Sequence, residues 1–104
     1  MYKEISRLFP GRTFEVAVVD DEENNLLLMK ASLMEQPFKL RTFLSAGLFL
    51  DAVLGGYEPD IALLDVMMPT MDGFEACSIL RNDSRIPHIP VIMVTGLDDT
   101  QYVI

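Results

Sequence analysis

Three continuous apolar runs, Val16–Val19, Ile61–Leu64 and Val91–Val94, each end against a polar residue: Asp20, Asp65 and Thr95 respectively. Runs of this kind predict strands covered on both faces, as in a parallel sheet. A fourth run alternates Phe38, Leu40 and Thr42 with Lys39, Arg41 and Phe43, which predicts a peripheral strand near a sheet edge. Helical spacing fills the gaps. From Asn24 or a neighbouring acidic residue to about Glu35, Leu27, Ala31 and Met34 form one stripe and Leu26, Met29 and Leu33 a second, predicting a broad buried face. Ser45 is placed to cap a helix bearing Leu48, Phe49, Ala52 and Val53, which Gly55-Gly56 ends. Asp72 is placed to cap another through about Asn82, with Phe74, Cys77 and Leu80 inward, and Asp98-Asp99 to cap a last helical turn.

The resulting order, β-α-β-α-β-α-β-α, calls for an α/β fold: a doubly wound parallel sheet with right-handed crossovers and helices on both faces. All strand carboxyl ends then share one edge, which is where open α/β sheets bind ligands. Asp20, Asp21, Asp65 and Thr95 therefore converge from three regions of the sequence. Pro69 and Gly73 bend the chain away from Asp65, leaving a carboxylate that is exposed yet rigidly supported. Residues 1–13, punctuated by Pro10-Gly11 and carrying one weak stripe of Ile5, Leu8 and Phe9, read as a leader to a domain spanning 14–104.

Composition narrows the chemistry. A chain of 104 residues makes one domain. Its 16 acidic against 8 basic residues, net −8, argue against direct nucleic-acid contact and favour cations or basic partners. Cys77, the only cysteine, leaves no intrachain disulfide and favours a reducing compartment, the cytoplasm by default. No run reaches membrane-spanning length, and the N-terminus lacks the apolar core of a signal peptide. Crowded carboxylates in front of apolar strands resist full ionisation unless a cation joins them. All-oxygen ligation suits Mg²⁺ or Mn²⁺ ahead of Ca²⁺. A carboxylate is also a nucleophile towards phosphorus, and a metal beside it shields its charge from an incoming anion.

The segments VVDDE at 18–22, LLDVMMPTMDG at 63–73 and VIMVTG at 91–96 resemble the receiver (response-regulator, CheY-like) domain of two-component signal transduction. The resemblance runs from about Phe14 to the C-terminus and implies a flavodoxin-like sheet of strand order 2-1-3-4. It implies that Asp65 accepts a phosphoryl group from a sensor histidine kinase or phosphotransfer protein. It also implies that Asp20, Asp21, Asp65 and the Met67 backbone carbonyl hold the metal, and that Thr95 is the switch hydroxyl, with Gly96 leaving the phosphoryl group room. Two positions that modulate dephosphorylation in the family are here Met67 and Leu97. Both are apolar and unable to orient an attacking water, so a long-lived phosphoryl group is expected.

A complete receiver adds a fifth strand, bearing a lysine that pairs with the phosphoryl group and an aromatic switch residue, and then a fifth helix. The sequence ends at Ile104, and none of Lys3, Lys30 or Lys39 matches that lysine. The expectation is an incomplete receiver with fifth strand and helix absent, its output domain on the missing C-terminal part. Val91–Val94 would then be an exposed edge strand, inviting a homodimer or larger assembly. Two other readings stand beside the phosphoacceptor. One is a receiver-like docking or dimerisation module that does not use phosphate. The other is a Mg²⁺-dependent phosphohydrolase, which is disfavoured because Met67 stands where its second aspartate belongs. Cys77 reads as a small buried hydrophobe, His88 as a solvated loop residue between prolines, and the methionines, notably Met29, Met34 and Met93, as core filler.

Overall fold

The structure, a computed structural model, describes residues 14–33, 38–94 and 101–103. The leader, Met34 and the end of the first helix, Thr95, Gly96, Leu97 and the Asp98-Asp99 cap lie outside the described residues. Four parallel strands, β1 (Phe14–Val19), β2 (Phe38–Phe43), β3 (Ile61–Asp65) and β4 (Val91–Val94), stand in the order β2-β1-β3-β4. Between them run helices α1 (Glu23–Leu33), α2 (Ala46–Leu54) and α3 (Gly73–Asn82). The parallel α/β architecture is the one the apolar runs predict, and β2 is indeed peripheral.

Strand alternation sorts the core into two layers. On one face Ala17, Val19, Phe43, Ala62, Leu64, Val91 and Met93 pack with Phe49, Leu50 and Val53 of α2 and with Ala76, Cys77 and Leu80 of α3. On the other, Val16, Val18, Leu63 and Ile92 pack with Leu26 of α1. The register pairs Val19 with Phe43 and Leu64, and Asp65 with Val94, so the strands end level at the carboxyl edge. Cys77 and Met93 are buried and His88 is exposed, as expected.

The edge of β4 corrects one expectation. Gln101–Val103 forms a short strand, β5, antiparallel to β4, with Val94 opposite Gln101 and Ile92 opposite Val103. The outer edge of β4 is therefore paired within the chain and is not a free template for a homodimer. Nor are these residues the predicted helical turn. A single turn is costly to nucleate, whereas a sequence-near extended segment costs little closure entropy and satisfies a row of backbone donors and acceptors.

Helix boundaries follow the sequence more closely than helix faces do. Ser45 Oγ accepts from the Leu48 N–H at 3.1 Å. Asp72 Oδ1 accepts from the Glu75 N–H at 2.8 Å, and the Gly55 N–H bonds the Asp51 and Ala52 carbonyls where α2 ends. The predicted faces are too wide. Among the α1 side chains described, Leu26 is buried and Met29 half-buried, while Leu27 is 57% exposed and Ala31 is exposed. In α2 Leu48 faces outward, and in α3 Phe74 does, its expected place taken by Gly73 and Ala76. Each helix meets the sheet along a narrow stripe, so the apolar residues flanking it stay in solvent.

Candidate functional site

β1 and β3 are neighbours, so residues one step past the register pair Val19–Leu64 are brought together at the carboxyl edge. These are Asp20 and Asp65, with Asp21 following. One carboxylate oxygen from each of Asp20, Asp21 and Asp65 lies within 4.8 Å of the others. Thr95 follows β4, which pairs with β3, but lies outside the described residues.

Backbone contacts fix the first carboxylate. The Asp20 N–H donates to the Phe43 carbonyl at 3.1 Å, which holds the β1 exit to β2. Asp20 Oδ1 accepts from the Glu22 N–H at 2.9 Å, turning the chain into α1. Asp20 thus helps to start α1 and also belongs to the acidic cluster.

Asp65 is held by the loop that follows it. Its Oδ1 accepts from the Met67 N–H at 3.2 Å, and a hydrogen bond links its carboxyl to that of Asp20. The Val66 N–H bonds the Val94 carbonyl at 3.1 Å, and the Val66 carbonyl accepts from the Gly73 N–H at 3.0 Å, closing the loop onto the sheet. Gly73 is required for this approach, because a Cβ there would lie 2.6 Å from the Asp65 carbonyl oxygen and 3.0 Å from Met93 Sδ. Within the loop the Met71 N–H donates to the Pro69 carbonyl at 2.8 Å, with Thr70 between them at φ 72°. That is a γ-turn of the strained, positive-φ kind around a β-branched residue. Sequence reasoning missed Thr70, although Pro69 before it and Asp65 five residues upstream mark the loop as tight.

Burial pushes the Asp65 carboxyl up from 3.8 to about 6; the Met67 N–H opposes this, and the charges of Asp20 and Asp21 and a hydrogen bond with Asp20 add to it. A carboxylate that resists ionisation among like charges is the electrostatic signature of a place where a cation belongs. The donor set fits a hard divalent ion. It offers carboxylate oxygens at mutual distances one ion can bridge, without a nitrogen or sulfur ligand among the described residues. Met67, whose backbone carbonyl the resemblance adds to the set, projects its side chain outward at 77% exposure. No polar side chain of its own stands between Asp65 and solvent.

A sequence profile of the response regulator receiver domain matches residues 16–104. The chain belongs to this family. As a receiver it is 43% identical over 83 residues to the response regulator PleD of Caulobacter vibrioides, a match covering 80% of this chain and 18% of that protein. It is 41% identical over 81 residues to the heme response regulator HssR of Staphylococcus epidermidis, covering 78% of this chain and 34% of that one. The receiver thus spans about a third or less of these curated relatives. The fold agrees with the N-terminal domain of a response regulator receiver protein from Methanoculleus marisnigri at a TM-score of 0.73 and 29% identity, over 83% of this chain and 72% of that one. A CheY-like receiver domain from Methanospirillum hungatei gives 0.71 and 28%, over 83% and 68%. Receivers are signalling modules of two-component systems, and among the described residues no helix is long and apolar enough to cross a membrane.

Proposed function

We propose that this receiver is a phosphoacceptor: Asp65 takes a phosphoryl group from the phosphohistidine of a sensor histidine kinase or phosphotransfer protein. A carboxylate oxygen of Asp65 attacks phosphorus, the P–N bond breaks, and the donor imidazole leaves with its electron pair, giving an acyl phosphate on Asp65. The observation that carries the reading is the meeting of Asp20, Asp21 and Asp65 within 4.8 Å at the edge where the sheet presents its strand ends.

Asp20, Asp21, Asp65 and the Met67 backbone carbonyl would hold Mg²⁺ or Mn²⁺. When bound, the ion supplies the positive charge that lets three carboxylates coexist and that stabilises the oxygens of a phosphoryl group in transfer. The Met67 N–H orients Asp65 by donating to Oδ1. Gly73 and the closed loop keep that carboxylate on its support. Thr95 serves as the switch hydroxyl that follows the phosphoryl group and alters the surface offered to partners, including an output domain on the remainder of a longer protein. Met67 leaves no polar group to position water, which favours a long-lived product. Met67→Asn should shorten the phosphoryl lifetime about tenfold or more, on the scale of positioned general-base contributions; an unchanged lifetime contradicts that assignment.

The test supplies Mg²⁺ and acetyl phosphate and follows mass and turnover for the parent and Asp65→Asn. Labelling with one phosphoryl group in the parent alone supports the phosphoacceptor. No labelling supports a docking module instead, and many turnovers per chain support a hydrolase.

A further inference from the structure

On the sheet face that carries α1, Val18, Leu63 and Ile92 form a row in register across β1, β3 and β4. They are 4%, 7% and 5% exposed. That is more burial than the described helices supply. α1 makes its main contacts with β1 and β2, while α2 and α3 bury their side chains on the opposite face. Among the described residues no helix is therefore seated over β3 and β4 on this side. Ile61 and Val94, next along the same face, are only half-buried, so the cover is short.

The burial is that of a single chain, which makes the cover a segment of the chain itself. Outside the described residues lie 1–13, 34–37, 95–100 and 104. Residues 34–37 are spent joining α1 to β2 on the far side of the sheet, and 95–100 joining β4 to β5. Residues 1–13 lead into β1, directly beside β3, and carry Met1, Ile5, Leu8 and Phe9 at helical spacing with Lys3 and Arg7 opposite. Nine helical residues span about 13 Å, the length of a four-residue strand. Pro10 to Thr13 reach up to about 13 Å, enough to rise off the sheet and step across one strand spacing of about 5 Å. Charge acts in the same direction. The first 13 residues hold three cations and one acid, whereas 14–104 hold five cations and fifteen acids, so the field of the domain draws the leader in.

We propose that residues 1–9 form an amphipathic helix docked on this face over β3 and β4, with Ile5, Leu8 and Phe9 against Leu63 and Ile92 and with Lys3 and Arg7 outward. The leader is then a working part of the domain. It takes out of water an apolar patch that would otherwise invite a second copy of the chain. This docking does not depend on Asp65 taking phosphate.

The experiment records methyl–methyl NOEs on the full chain labelled at its Ile and Leu methyl groups, with a mixed-label sample to separate contacts within one chain from contacts between copies. Thermal unfolding of Ile5→Ser/Leu8→Ser and of Arg7→Gln runs alongside. The expected result is NOEs from Ile5 and Leu8 to Leu63 and Ile92 within one chain. Ile5→Ser/Leu8→Ser should lower the Tm by about 10 °C or more, because two buried apolar side chains are lost. Arg7→Gln, on the outward side, should shift it by about 3 °C or less. Absence of these NOEs from the folded parent overturns the proposal, and so do NOEs to Leu63 and Ile92 that arise only between copies. Equal Tm shifts in the two variants overturn it as well, since they would mean that the leader has no buried side.

Discussion

Asp65 carries a measurable electrostatic cost. Its proton is held more tightly in the fold, at about 6, than at the ordinary value of 3.8. For an acid shifted upward, the native state binds the extra proton between those values, so stability falls as pH rises through that window and is highest below it. The group is half-buried, and after allowance for solvent screening the ionised form costs roughly 1 kcal/mol at neutral pH. Metal-free Asp65→Asn should therefore be more stable than the parent by about that amount near pH 7.5, with the difference vanishing near pH 4 in urea unfolding curves. A pH-independent difference would contradict it. At Thr70 the residue-scale cost is steric. Thr70→Gly relieves the positive φ and should stabilise the chain by roughly 1 kcal/mol after the added chain entropy is counted. The carboxylates were legible because they end apolar runs. Thr70 was not, since positive φ is imposed by the loop closing between Val66 and Gly73 and leaves no trace in its own residue type.

Elements were legible where their determinants are local. Ser45 and Asp72 cap helices with hydrogen bonds confined to four residues, and the apolar runs at 61–64 and 91–94 supply β3 and β4. Faces and edges were less so. Phe74, Leu27 and Leu48 look inward by spacing but are exposed, because the crossing of helix and sheet decides which apolar stripe is used. β5 was hidden for a related reason, its partner being the edge of β4 and not its own neighbours. The joint between β3 and α3 yields the sharpest element-scale expectation. Gly73→Ala would drive a methyl group against the Asp65 carbonyl and Met93. It should cost about 1–3 kcal/mol in chemical unfolding and also lower phosphoryl labelling of Asp65. Asp72→Ala, which loses only the cap, should cost about 1 kcal/mol and leave labelling intact. Equal effects of the two on labelling would contradict a positioning role for Gly73.

Over the whole molecule, a net charge of −8 and a cluster of acids at one edge mean that the proposed divalent ion would act on stability by mass action as well as on chemistry. Adding Mg²⁺ at a hundred times its Kd should stabilise the parent by about 2.7 kcal/mol, and Asp65→Asn by distinctly less. The proposed donation to Asp65 and the proposed ion binding at Asp20 and Asp21 meet in one claim, that the nucleophile is this particular carboxylate. Borohydride reduction tests it most directly, since it converts an aspartyl phosphate to homoserine, which peptide mass mapping locates. After treatment with Mg²⁺ and acetyl phosphate, the account predicts homoserine at position 65 and nowhere else. Homoserine at position 20 or 21, or none at all from a chain shown to bind the ion, would contradict it.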